Sequence, residues 1–147
     1  MLRTNYVAVV VAAVAAFVAS FVWYAVFGNA MMELRGTDPA AAAEMGTPIW
    51  AMLFVVFQSL LVASMLAYFV ARLGVADWRG AVRLGVLIWV FPATILLGSV
   101  VHENVPLMLA AIHAGDWLTK LLLMSVILGV WRKGAVRRQP ATQAGSR

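Results

Sequence analysis

Four long apolar segments fix the class of fold that this chain can adopt. They cover about residues 6–27, 48–71, 81–101 and 106–131. At a rise of about 1.5 Å per residue, a helix of each length crosses a hydrocarbon core of roughly 30 Å. The 147 residues are 64% hydrophobic and only 12% charged, which leaves too few polar groups to cover a water-soluble domain. We predict an all-α membrane protein, a four-transmembrane-helix antiparallel bundle.

The first apolar segment is long enough to be a retained helix. A cleaved signal peptide has an apolar region of about 7–15 residues. Here the run continues for about 22 residues, as far as Phe27, which is the length of a membrane span. Thr4 and Asn5 precede it and are the two candidate caps of the helix.

Positive charge is concentrated on one predicted side of the membrane. That side carries Arg3, Arg72, Arg79, Arg83 and the basic residues of segment 132–147. The other side carries Arg35 with the acidic residues Glu33, Asp38, Glu44 and Glu103. By the positive-inside rule both termini are cytoplasmic, in a multi-pass protein of the bacterial cytoplasmic (inner) membrane. The net charge of +5 then reflects topology, so the lipid bilayer is the predicted partner and nucleic acid is not.

The predicted domain organisation is a transmembrane domain over residues 1–131 and a basic disordered tail over residues 132–147. The tail lacks apolar periodicity and is expected to be attracted to anionic lipid. The alternative is a plain stop-transfer tail.

Small residues recur every four positions along several segments, a pattern that lets membrane helices approach closely. The residues are Ala8, Ala12, Ala16 and Ser20 in the first segment; Ser59, Ala63, Ala67 and Ala71 in the second; and Ala111, Gly115, Thr119, Ser125 and Gly129 in the fourth. Tight helix packing is therefore expected. In the third segment Pro92 lacks an amide hydrogen and predicts a kink.

The fourth segment carries an ionisable stripe. Asp116 and Lys120 are one helical turn apart, and His113 lies on the same face. Counted from Trp131 at 1.5 Å per residue, Lys120 lies about 16 Å deep, near the midplane. A charge there costs roughly 2.5–3.5 kcal/mol on insertion scales, so such residues indicate either a functional site or a structural ion pair.

Most of the candidate site residues gather in the predicted outer half of the bundle, with Lys120 and Gln58 near the midplane. Candidate catalytic residues are Asp116, Glu103, His113 and His102; candidate substrate-binding residues are Trp23, Tyr24, Trp50, Gln58, Trp89, Trp117 and Lys120. Several have structural alternatives: an interfacial aromatic belt for Trp23, Tyr24 and Trp50; ordinary loop positions for His102 and Glu103; and helix-to-helix contacts for Gln58.

No cofactor and no metal site are predicted. The sequence has no cysteine, and it lacks a glycine-rich phosphate loop, a serine elbow and a dinucleotide fingerprint. His113 and Asp116 have the spacing of half a helical-bundle metal site, but no second matching motif is present.

The chain resembles a family of small four-span bacterial membrane proteins known as domain of unknown function 1761. The resemblance covers nearly the whole chain and rests on Asn5, Trp23, Tyr24, Phe27, Gly28, Ile112, Ala114 and Gly115. It implies the four-span topology and no particular activity. In the family, Ala-Gly is often followed by Tyr-His, whereas this chain has Asp116 and Trp117 at those positions.

The residues favour a membrane-embedded, acid-catalysed enzyme acting on a lipophilic, isoprenoid-like substrate. Asp116 or Glu103 would protonate an epoxide or alkene, starting a cyclisation or isomerisation similar in chemistry to that of membrane-bound terpene cyclases. Aromatic faces would stabilise the developing cation. Lys120 opposes this hypothesis if it faces Asp116, because a neighbouring ammonium stabilises the ionised carboxylate.

Two further hypotheses stay open on the sequence alone. One is a non-catalytic scaffold or partner subunit. The other is a small proton-coupled transporter, in which Asp116, Lys120 and Gln58 form a midplane relay. Four spans are few for transport, so a homo-oligomer would be required.

Overall fold

Each of the four predicted segments is an α-helix in the computed structural model of the protein. The structure describes residues 5–38 and 46–137, with side chains described as far as Trp131. The helices are α1 (Tyr6–Leu34), α2 (Ile49–Arg72), α3 (Trp78–His102) and α4 (Leu107–Arg137). This confirms the predicted all-α four-helix bundle.

Two helices run past the predicted ends of their spans. Helix α1 continues beyond Phe27 to Leu34, because Met31 is buried against Leu109 and Ile112 of α4. Helix α4 continues into the predicted tail, as far as Arg137. Arg3, Thr4, Glu44 and residues 138–147, which entered the sequence argument, lie outside the described residues.

Helix starts follow the capping chemistry of the sequence. The Asn5 side chain accepts hydrogen bonds from the amides of Val7 at 3.1 Å and Ala8 at 3.3 Å, which confirms it as the cap of α1. Pro48 immediately precedes α2, where its missing amide hydrogen is harmless. Helix α3 runs through Pro92 to His102.

Helix α4 is the centre of the bundle. It packs against α1, α2 and α3, whereas α3 packs mainly against α4 alone. The core is apolar where α1, α2 and α4 meet, with Leu66, Leu121 and Met124 almost fully buried. The small residues of α1 face this core, and Ala12 and Ala16 are completely buried. These contacts confirm the close helix approach that the small-residue pattern predicts.

Two glycines of α4 lie at close contacts with neighbouring helices. A Cβ added to Gly115 would lie 2.5 Å from Cζ2 of Trp23, on α1. A Cβ added to Gly129 would lie 3.0 Å from the Cβ of Ala81, on α3. Helix α1 therefore leaves no room for a side chain at Gly115, and α3 approaches Gly129 so closely that a methyl group there would require a small shift.

We expect Gly115→Ala to lower the stability of the protein in detergent micelles by about 1–3 kcal/mol, because the new methyl group displaces the Trp23 ring from a filled space. Chemical unfolding followed by tryptophan fluorescence measures the change. Gly98→Ala is the matched control, since a Cβ there meets no heavy atom within 4 Å. Equal stability of the two variants would contradict the close α1–α4 contact.

Candidate functional site

Asp116 is the centre of a buried polar network between α1 and α4. Its side chain is 1% exposed. The Ser20 hydroxyl donates to Oδ1 at 2.6 Å, and the Tyr24 hydroxyl donates to Oδ2 at 3.1 Å. Lys120 Nζ lies 2.6 Å from the same Oδ2. Both carboxylate oxygens therefore have hydrogen-bond partners. Two of the three partners are hydroxyl groups on α1, and each donates a charge-assisted hydrogen bond.

Lys120 faces the acid. Its side chain is 12% exposed, and Nζ lies 4.4 Å from the centre of the Trp117 ring, a cation–π distance. The ammonium therefore has a carboxylate on one side and an aromatic face on the other. Lys120 therefore faces Asp116 directly, which is the arrangement that the sequence argument identified as opposing simple acid catalysis.

His113 and Arg35 extend the network toward the end of α1. The Tyr24 hydroxyl lies 3.1 Å from His113 Nδ1, and an Arg35 guanidinium nitrogen lies 3.2 Å from His113 Nε2. A guanidinium can only donate, so Nε2 accepts and, in a neutral ring, Nδ1 carries the proton. Nδ1 then donates to the Tyr24 oxygen, while the Tyr24 hydrogen points to Asp116. Every hydrogen along this path is directed toward Asp116.

Two tryptophans, one on α1 and one on α3, donate hydrogen bonds to backbone carbonyls of α4. Trp23 Nε1, on α1, donates to the Ile112 carbonyl at 3.1 Å. Trp89 Nε1, on α3, donates to the Ala114 carbonyl at 2.7 Å. These bonds satisfy both indoles away from water and fix the rotation of α4, so that the next turn directs Asp116 toward α1.

The structure leaves four predicted site residues away from this network. Trp50 is 69% exposed, Gln58 is half-buried on α2, and His102 and Glu103 are exposed at the end of α3. The buried residues of α3 are confined to its first half, Ala81–Gly85. The end of α3 that carries His102 is therefore not buried against the network around Asp116. None of these four side chains has a hydrogen bond to the network within the described part of the chain.

Sequence reasoning missed two members of the network. Ser20 was assigned only to the small-residue face of α1, and Arg35 was used only for topology. A signal was available for both. Ser20 and Tyr24 are one helical turn apart on the buried face, and Arg35 is the single cation on the predicted outer side.

The network is not arranged as a metal site. Within residues 5–38 and 46–137, no group of three or more His, Cys, Asp or Glu side chains is placed to hold a metal ion. His113 and Asp116 instead use their polar atoms on Tyr24, Arg35, Ser20 and Lys120.

All four helices are long and apolar enough to cross a membrane, and most large apolar side chains on their outer faces are exposed. The fold and the buried network together define a multi-pass α-helical membrane protein with charges enclosed between its spans. The chain belongs to the family described as "Protein of unknown function (DUF1761)", whose sequence profile matches residues 7–129. This confirms the resemblance in the sequence. No curated protein and no solved structure matches the chain.

A double-mutant cycle measures the interaction free energy between Asp116 and Lys120. Lys120→Met leaves Asp116 buried without its ammonium, and we expect a loss of about 3–5 kcal/mol in stability. Asp116→Asn should cost less, because the amide oxygen can still accept a hydrogen bond from Lys120 and the Trp117 ring still faces the ammonium. In the double variant we expect a loss smaller than the sum by roughly 0.5–3 kcal/mol, measured by chemical unfolding in micelles. Strictly additive losses would show that the two charges do not interact.

Proposed function

We propose that this protein is a proton-coupled membrane carrier whose buried network relays protons from the predicted outer surface to the bilayer midplane. The observation that supports this proposal is a continuous hydrogen-bonded path, along which the assigned hydrogens of Arg35, His113 and Tyr24 all point toward Asp116. Its members, in order, are Arg35, His113, Tyr24, Asp116 and Lys120.

The relay needs only short transfers. Once Arg35 withdraws, an incoming proton binds His113 Nε2, and the ring passes its Nδ1 proton to the Tyr24 oxygen. The Tyr24 hydrogen moves to Oδ2 of Asp116 in the same step, so no protonated phenol forms. Each transfer bridges 3.1 Å between heavy atoms, within the reach expected for general acid–base steps. One proton enters and one proton arrives at Asp116, so the path ends in the starting state of His113 and Tyr24 after the groups reorient.

The Asp116–Lys120 pair would couple the arrival of a proton at Asp116 to the release of a proton from Lys120. With one shared proton the pair is neutral, either as carboxylate and ammonium or as acid and amine. A second proton gives it a net positive charge, which is costly near the midplane. Proton arrival at Asp116 would therefore be balanced by the loss of a proton from Lys120 to an acceptor beyond it.

The relay serves one half of the membrane. Beyond Lys120, the residues of α4 as far as Trp131 are apolar or aromatic except for Ser125 and Gly129. A complete path would need the carried solute or a second subunit to take the Lys120 proton onward, in keeping with a homo-oligomer. The proposed setting is the bacterial inner membrane, with both termini cytoplasmic and Arg35 facing outward.

Tyr24→Phe tests the relay, because it removes the one hydroxyl that joins His113 to Asp116 while keeping the ring. In proteoliposomes with an imposed pH gradient, we expect proton uptake to fall by at least about tenfold, since a positioned acid–base group contributes 10²–10⁴-fold to a proton transfer. Infrared spectroscopy after a pH jump should also show slower protonation of the Asp116 carboxylate.

Ser20→Ala is the matched control for this experiment. It removes another hydrogen bond to Asp116, at Oδ1, that lies outside the path. Its proton uptake should remain close to that of the unmodified protein. Equal uptake in the unmodified protein and both variants would rule out the relay.

The second candidate is acid-catalysed chemistry on a lipophilic, isoprenoid-like substrate, a protonation-initiated cyclisation or isomerisation. The observation that favours it is the Trp117 face, which lies beside the Lys120 ammonium and would suit a carbocation equally well. The ion pair opposes it unless the relay first protonates Asp116.

Turnover of a lipophilic epoxide or polyene in membranes tests this second candidate. Asp116→Asn should abolish turnover and leave the helix content unchanged, with Ser20→Ala as the control. A scaffold would instead show neither flux nor turnover, and Asp116→Asn would change only its thermal stability or oligomer size.

A further inference from the structure

We propose that Arg35 is an anion-responsive gate on the relay, an inference that rests on the proposed function. The guanidinium occupies the Nε2 lone pair of His113 and keeps protons out. A carboxylate or phosphate oxyanion at the surface draws it away and exposes the imidazole.

Arg35 occupies the outermost acceptor of the network. His113 uses Nδ1 on Tyr24, so Nε2 is the ring nitrogen left to receive a proton, and Arg35 lies 3.2 Å from it. A guanidinium stays charged at every physiological pH and has no lone pair to pass a proton through. While this contact persists, His113 can neither bind a second proton nor obtain one from Arg35.

Among the charges around His113, that of Arg35 is the one that can be withdrawn. Within the described part of the chain, the titratable or charged groups that the network joins to His113 are Tyr24 and Arg35, on and just after α1, and Asp116 and Lys120 on α4. Asp116 and Lys120 form an ion pair and largely offset each other. Withdrawal of Arg35 would therefore free the Nε2 lone pair of His113 to accept a proton.

The end of α1 places Arg35 where an anion can reach it. The helix ends in a left-handed turn at Gly36, whose φ is 65°, and the amides of Gly36 and Thr37 bond the carbonyls of Glu33 and Met32. Arg35 is exposed at this turn. Its bond to a neutral imidazole is weaker than the paired, charge-assisted bonds that a guanidinium forms with an oxyanion. An oxyanion should therefore compete successfully for Arg35.

The tautomer of His113 shows directly whether Arg35 occupies Nε2. The chain has two histidines, so His102→Gln leaves His113 as the one imidazole, with separate Nδ1 and Nε2 signals in nitrogen-15 magnetic resonance of the full protein in phosphatidylcholine vesicles. In phosphate-free buffer we expect the proton on Nδ1 and none on Nε2. Arg35→Gln should move the proton to Nε2 or add one there. Arg35→Lys, which keeps a charged donor, should retain the original spectrum.

Two further samples identify the source of the anion. Inorganic phosphate added to phosphatidylcholine vesicles tests a free oxyanion, and phosphatidylglycerol vesicles without phosphate test a lipid headgroup. The effective source should move the spectrum toward that of Arg35→Gln. A protonated Nε2 in the unmodified phosphate-free sample would overturn the gate, and an unchanged spectrum with both anions would overturn its anion response.

Proton uptake separates this inference from the proposed function. If the gate and the relay both hold, Arg35→Gln raises proton uptake into vesicles severalfold over the unmodified protein. If the tautomer shifts as expected while neither Arg35→Gln nor Tyr24→Phe changes uptake, Arg35 controls the imidazole but the relay is wrong. If uptake depends on Tyr24 while the tautomer is insensitive to Arg35, the gate alone is wrong.

Discussion

The burial of one carboxylate organises this bundle. Asp116 is enclosed between α1 and α4, where an unpaired charge would be prohibitively costly, so its surroundings must supply hydrogen-bond donors and a cation. Ser20 and Tyr24 supply the donors from α1, and Lys120 supplies the cation from the next turn of α4. Because these partners come from two helices, the register between α1 and α4 is set by polar geometry. Apolar packing alone would tolerate several registers.

The close packing around the carboxylate depends on residues that carry no charge. Gly115 leaves space for the Trp23 ring, and that ring donates to the Ile112 carbonyl one turn before Asp116. Trp89 makes the equivalent bond from α3 to Ala114. Both indoles act on helix carbonyls that already serve the backbone, so they add orientation without disturbing the helix. The small residues that permit close approach and the polar residues that use it are therefore parts of one arrangement.

Much of the fold was predictable, because the bilayer constrains a sequence more strongly than water does. Four apolar runs of spanning length admit little besides four helices, and the small-residue spacing of Ala8 to Ser20 identifies the face of α1 that is buried. The candidate site was only half predictable. Spacing on one helix placed His113, Asp116 and Lys120 together, but Ser20 and Arg35 joined them through the rotation of a second helix, which local spacing does not encode. The same limit explains why His102, predicted near the cluster by depth, lies away from it: depth along the membrane does not determine azimuth around the bundle.

The extent of the network argues for a role beyond stability. Ser20, Tyr24 and Lys120 already satisfy Asp116, and a structural clamp between α1 and α4 needs nothing more. Yet the path continues from Tyr24 through His113 to an exposed arginine. His113 is half-buried and Arg35 is exposed, and the hydrogens of both point along the path toward Asp116. Stability alone does not require that continuity or that direction, whereas proton delivery requires both.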